Sequence, residues 1–235
     1  MVAMSFYVLV HSPSVGPGTW APVAERLRQA GHEVVVPSLL TVAAGGAPYW
    51  PRAVAAVRDA LSQQGAGQPA VLVPHSNAGL FLPLIADGME HPLAGTVFAD
   101  ASIPADSPVT TATEGEFLPF LRGLADGEGL LPRWTDWWPE QDVAALLPDQ
   151  DVRQAVVAEQ PRLPLDFYLQ HIPQPRGWAA RPSAYLLFGS DYAAQAVKAR
   201  ERGWPVAVTG GQHLHQVVDP DAVAVAITEL AGSFG

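Results

Sequence analysis

Ser76 stands in Val71-Leu72-Val73-Pro74-His75-Ser76-Asn77-Ala78-Gly79, where an aliphatic run ends in His-Ser and passes into small residues. A buried strand that enters a helix through such a turn is the layout of a nucleophile elbow, in which strained backbone exposes the serine oxygen. The turn needs small neighbours because adjacent Cβ atoms would clash. The helix that follows aims backbone N–H groups at developing negative charge. Ala78 and Gly79 meet the size requirement, whereas Pro74 puts bulk on the approach. The competing reading of Ser76 is a plain helix N-cap.

A serine nucleophile needs a base, and Gly210-Gly211-Gln212-His213-Leu214-His215 offers two histidines after a short β-branched segment, ahead of Asp219-Pro220. A glycine-led loop at a strand end puts an imidazole at a rim, half in solvent, where a general base works. His213 leads on its interval to Pro220, with His215 second. A His-x-His metal pair would need a third ligand, and none stands at a suitable spacing, so no metal is expected. The base needs a carboxylate to fix its tautomer. Asp191, in Phe188-Gly189-Ser190-Asp191, and Asp100, after Thr96-Val97-Phe98-Ala99, both follow apolar strand-like segments. Asp191 is favoured because its segment immediately precedes the one that delivers His213, and Asp100 stays open. Either could instead cap a helix.

The oxyanion of an acyl-transfer step needs donors. Asn77 N–H is one candidate. The others lie in His11-Ser12-Pro13-Ser14-Val15-Gly16-Pro17-Gly18, after the apolar run Phe6–Val10. Pro13 carries no N–H, which leaves Ser14 or Val15, or the Ser12 hydroxyl.

The elements that must position these groups alternate. Strands are expected at 6–10, 33–37, 70–73, 95–99, 184–188 and 205–208. Helices are expected at 20–30, 49–64, 77–87, 192–202 and 221–231, with Pro83 bending the third. Strands alternating with helices every 25–35 residues argue for a doubly wound α/β domain with a mainly parallel sheet. The core is assigned to 1–103 and 183–235. Residues 104–182 break the pattern. They are proline-rich, show no convincing strand, and carry short helices near 116–125, 140–147 and 150–160. They read as a helical insertion. Trp134, Trp137 and Trp138 would share one helical face, and with Phe117, Phe120 and Phe167 they could wall an apolar pocket or anchor the insertion to the core.

Composition narrows the classes of function. Lys and Arg number 13 against 23 Asp and Glu, a net charge of −10. Nucleic acid is therefore disfavoured as a partner, since no excess positive charge displaces phosphate counterions. Twelve of the 13 basic residues are arginine, as in a GC-rich bacterial genome. Cysteine is absent, which excludes disulfides, thiolate metal sites and cysteine nucleophiles. No run approaches the roughly 18 apolar residues of a membrane span, and Met1–Ser5 carries no basic leader, so a cytoplasmic protein is expected. Neither phosphate-binding glycine pattern occurs.

The His11-Ser12 turn, the His75-Ser76-Asn77-Ala78-Gly79 elbow, Gly189-Ser190-Asp191, and Gly211-Gln212-His213 with Asp219-Pro220 together resemble the α/β-hydrolase-fold superfamily over essentially the whole chain. The likeness is to compact bacterial members that begin at the strand before the oxyanion loop. It implies serine-dependent hydrolysis of an ester, thioester or amide without a cofactor, with 104–182 as the lid. The candidates for substrate contact are His11, His215, Trp134, Trp137 and Trp138. The expected partner is an apolar small molecule, with a homodimer left open. Three positions depart from the pattern: Pro74 replaces a glycine, Ser12-Pro13 replaces a simpler His-Gly turn, and Asp191 follows Gly189 by two residues where three is usual. The alternatives are a non-hydrolytic epimerase, lyase or cyclase of secondary metabolism, or a binding protein without turnover.

Overall fold

In the computed structural model, which describes residues 5–64, 67–113 and 115–234, six strands form one parallel sheet. The reading of Met1–Met4 as lacking a leader lies outside those residues. In chain order, β1 (Phe6–Val10) leads to α1 (Ala21–Gln29), β2 (Glu33–Val35), α2 (Trp50–Leu61) and β3 (Ala70–Ser76). A 3₁₀ turn over Asn77–Phe81 precedes α3 (Leu82–Gly88), and β4 (Leu93–Ala101) follows. Pro83 sits in the first turn of α3, where its missing N–H costs nothing. The bend expected at that proline is instead a change from 3₁₀ to α geometry ahead of it.

Between β4 and the return to the sheet lie β5 (Val109–Thr111), α4 (Phe117–Leu124), α5 (Glu140–Leu146), α6 (Gln150–Glu159), α7 (Asp166–Leu169) and β6 (His171–Pro173). Here β5 and β6 pair antiparallel, Thr110 opposite Ile172. This corrects the expectation of no strand in the segment. Three-residue strands about sixty positions apart carry no local alternation to read. The sheet resumes with β7 (Ser183–Leu187), α8 (Ala193–Glu201) and β8 (Val206–Val208), and the chain closes with α9 (His215–Val218) and α10 (Pro220–Ala231).

The strand order is β2-β1-β3-β4-β7-β8. Side chains alternate across it. Phe6, Val8 and Val10 of β1 join one core with α2, α3 and the intervening segment, while Tyr7 and Leu9 join a second core with α1 and α10. A sheet buried on both faces needs continuous apolar strands, as β1 and β3 provide. The chain leaves β1 toward β2 and then crosses to β3 on its other side. The carboxyl ends of β1 and β3 therefore diverge into a crevice, where an open α/β sheet takes its ligand. Among the described residues, no helix is long and apolar enough to cross a membrane.

Candidate active site

Ser76 ends β3 with φ +56° and ψ −133°. A side chain at positive φ outside glycine is strained and persists only where its surroundings enforce it. Ser102 N–H donates to the Ser76 carbonyl at 3.1 Å, and the register of β3 on β4 shifts between His75 and Ser76. Gly79 lets the turn close, because a Cβ there would lie 2.2 Å from the Ser102 carbonyl oxygen. The Ser76 side chain makes no cap hydrogen bond, which removes the N-cap reading.

Its Oγ lies 3.1 Å from His213 Nε2, and His213 Nδ1 lies 2.7 Å from Asp100 Oδ2. The other carboxylate oxygen of Asp100 accepts from Phe188 N–H at 3.0 Å. Asp100 is fully buried and has φ +43°. The Tyr185 hydroxyl, donating to the Ala101 carbonyl and accepting from the Ala101 N–H, pins the backbone beside it. With the carboxylate accepting, His213 carries its proton on Nδ1 and presents the Nε2 lone pair to Ser76 O–H. His75, its ring tilted against that of His213 with 4.6 Å between centroids, donates from Nε2 to the His213 carbonyl at 2.8 Å. Burial holds the His75 pKa well below 6.5, so the ring is neutral.

The preference for Asp191 over Asp100 is corrected. Asp191 lies along the cavity wall, with its carboxylate accepting from Ser190 Oγ at 3.4 Å, while Asp100 faces the imidazole. The next residue, Tyr192, three positions after Gly189, is the one that reaches the site. Its ring lies parallel to His213, 4.9 Å between centroids and 5° between planes, and its hydroxyl is 3.2 Å from Ser76 Oγ. Nothing in the sequence marks Tyr192.

Of the four candidate oxyanion donors, Asn77 and Ser14 line the cavity beside Ser76. Asn77 opens the 3₁₀ turn, where an N–H has no partner within the turn. Val15 and Ser12 are corrected. Val15 N–H donates to the Ser12 carbonyl at 3.1 Å, closing a turn around Pro13, and both residues are buried away from the cavity. Ser14 Oγ lies 2.6 Å from the hydroxyl of Tyr168, which also lines the cavity. Whichever hydroxyl donates, the pair keeps one O–H for a third partner. The loop itself is held by Glu159 of α6, which accepts from Gly18 N–H at 2.8 Å.

The cavity has a volume of about 650 Å³. Trp134, Trp137 and Trp138 all line it, but not from one α-helical face. Trp134–Trp137 form a 3₁₀ turn, and Trp138 is extended ahead of Pro139. Phe117 joins them, Phe120 stacks on Trp138 from outside, and Phe167 belongs to the core. His11 and His215 are corrected as substrate contacts. His11 is fully buried, accepting from Leu39 N–H at Nε2 and donating from Nδ1 to the Ser12 carbonyl, both at 2.8 Å. His215 packs under Gly211 and against Phe188. Leu214, between the two histidines, packs with Leu146, Leu147 and Val156, so the inserted segment is seated on the His213 loop.

Comparison with known proteins agrees with this architecture. The chain is 32% identical over 119 residues to a rice (Oryza sativa) protein named probable esterase PIR7A, a match spanning 48% of this chain and 44% of the rice protein. It therefore spans less than half the length of that relative. The fold superposes on an extracellular α/β-hydrolase from a Paenibacillus species with TM-score 0.75 and 19% identity, covering 96% and 98% of the two chains. It also superposes on a variant of tomato methylketone synthase I complexed with β-ketoheptanoate, with TM-score 0.70 and 14% identity over 99% and 100%. At these identities the likeness is one of fold. The model of the alpha/beta hydrolase family matches residues 7–226, and the chain belongs to that family.

Proposed function

We propose that the chain is a serine hydrolase that cleaves a carboxylic ester, thioester or amide of an apolar small molecule through an acyl-enzyme. The observation that supports this best is the unbroken hydrogen-bond run from Asp100 through His213 to Ser76, opening on an aromatic-walled cavity. Ser76 Oγ attacks the carbonyl carbon while His213 Nε2 takes its proton. The carbonyl electrons move to oxygen, which meets Asn77 N–H and the spare O–H of the Ser14–Tyr168 pair. Collapse expels the alcohol, thiol or amine, which takes the proton from His213. Water, activated by the same imidazole, then releases the acid and restores Ser76. Asp100 holds the tautomer and balances the imidazolium.

The inserted residues 104–182 act in this reading as the lid. Their tryptophans favour acyl or aromatic groups, because a mostly apolar wall with few polar fixtures binds apolar ligands. Cytoplasmic residence and a homodimer belong to the same proposal, tested by cell fractionation and light scattering.

Hydrolysis of p-nitrophenyl butyrate tests the reading. Turnover should be lost in Ser76→Ala and His213→Ala with the fold retained, and turnover unchanged in Ser76→Ala would defeat it.

A second reading, proton transfer without an acyl-enzyme, draws on the oxyanion loop, where Pro13 has no N–H and that of Val15 is engaged. Under it, Ser76 and His213 together move the proton, so Ser76→Ala and His213→Ala would both lose turnover of a proton-transfer substrate, and the wild type would form no acyl adduct on Ser76.

A further inference from the structure

Ser76 Oγ has two polar neighbours, His213 Nε2 at 3.1 Å and the Tyr192 hydroxyl at 3.2 Å. Proton counting fixes the direction of both bonds. Asp100 accepts from His213 Nδ1, so Nε2 has only a lone pair and must accept the single Ser76 proton. The Ser76 oxygen can then meet Tyr192 only as an acceptor, and Tyr192 O–H is the donor. Burial raises the phenol pKa above 10.0, so Tyr192 keeps its proton at neutral pH. One Ser76 lone pair remains for attack.

Resting on the hydrolase reading above, we infer that Tyr192 is a further catalytic residue, whose phenol O–H stabilises the charge that Ser76 Oγ gathers as it leaves the acyl-enzyme. In that step water has added to the acyl carbon and its proton is on His213 Nε2. The C–Oγ bond breaks and its electron pair stays on Oγ. The C=O bond of the acid re-forms. Nε2–H protonates Oγ while Tyr192 donates a hydrogen bond and keeps its own proton. During acylation the same bond falls on the attacking oxygen, where it damps nucleophilicity, so the gain is confined to deacylation. Stacking on His213 is a separate contribution of the ring, and Tyr192→Phe leaves it in place.

The test is stopped-flow cleavage of p-nitrophenyl butyrate by the full chain. In Tyr192→Phe, deacylation should slow roughly 10- to 100-fold, the range for a hydrogen bond to a charged group, with acylation unchanged or faster. A burst approaching one p-nitrophenol per chain should appear, and intact mass should show a butyryl adduct on Ser76. Incorporation of 3-fluorotyrosine at position 192, a better donor of the same size, should speed deacylation and serves if the Phe variant does not fold. Deacylation unchanged by either replacement in an enzyme that still turns over through Ser76 overturns the role of Tyr192 alone. Wild-type release no faster than that of Ser76→Ala overturns the hydrolase reading and this inference with it.

Discussion

His213 Nδ1 meets Asp100 Oδ2 at 2.7 Å, so the carboxylate facing the imidazole comes from β4, the strand beside the one that carries Ser76, and not from the end of β7. Asp100→Asn should therefore lower kcat on an ester by roughly 10⁴-fold, because an amide NH₂ facing Nδ1 selects the wrong tautomer. Its carbonyl oxygen can still accept from Phe188 N–H, so folding should survive. Asp191→Asn should change kcat little. Steady-state kinetics of the two variants check the assignment, and the reverse ranking would return the role to Asp191.

That pairing marks the limit of what the sequence makes legible. The elbow can be read because each requirement is local: an apolar strand, His75-Ser76, then Ala78 and Gly79. The alternation of strands and helices can be read for the same reason. The acid cannot. The apolar run before Asp100 stops at Ala99, while β4 pairs on to Ala101 and turns its carboxylate inward through a positive φ held by Tyr185. That geometry is set by a neighbouring strand. Tyr192 escapes notice similarly, because its reach to Ser76 depends on how the turn after β7 is placed above the sheet.

Gly79 has no room for a methyl group, since the Ser102 carbonyl oxygen would lie 2.2 Å from the new Cβ. Gly79→Ala should cost about 1–3 kcal/mol through forced backbone shifts. For a domain of this size that is a drop of about 2–4 °C in Tm per kcal/mol. Calorimetry checks the drop, and loss of ester turnover should exceed it, because the shift moves Ser76.

Burial lowers the pKa of His11 from 6.5 to about 4, and holds that of His75 well below 6.5. Each ring stays neutral in the fold while the unfolded chain binds a proton below about 6.5. Stability contributed by these rings is therefore full above that value and is lost as pH falls toward 4, by at most about 1.4 kcal/mol per pH unit for each ring. Urea unfolding midpoints should decline from pH 6.5 to 5, above the range where most carboxylates titrate. The decline should be shallower in His11→Gln. A flat midpoint across that interval would contradict it.

Trp134 touches both the cavity and the His213 ring, at 5.9 Å between centroids, whereas Trp138 touches the cavity and the stacked Phe120. Trp138→Ala should raise KM for long-chain p-nitrophenyl esters roughly tenfold with kcat nearly unchanged, the signature of lost uniform binding. Trp134→Ala should lower kcat as well. A chain-length series of esters separates the two outcomes.

In the proposed mechanism everything depends on Ser76 being an activated nucleophile. A fluorophosphonate probe followed by intact mass and peptide mapping tests it most directly. One adduct per chain is expected, on Ser76, absent in Ser76→Ala and formed far more slowly in Asp100→Asn. A folded wild-type protein that takes up no probe, or takes it up at another residue, would contradict it.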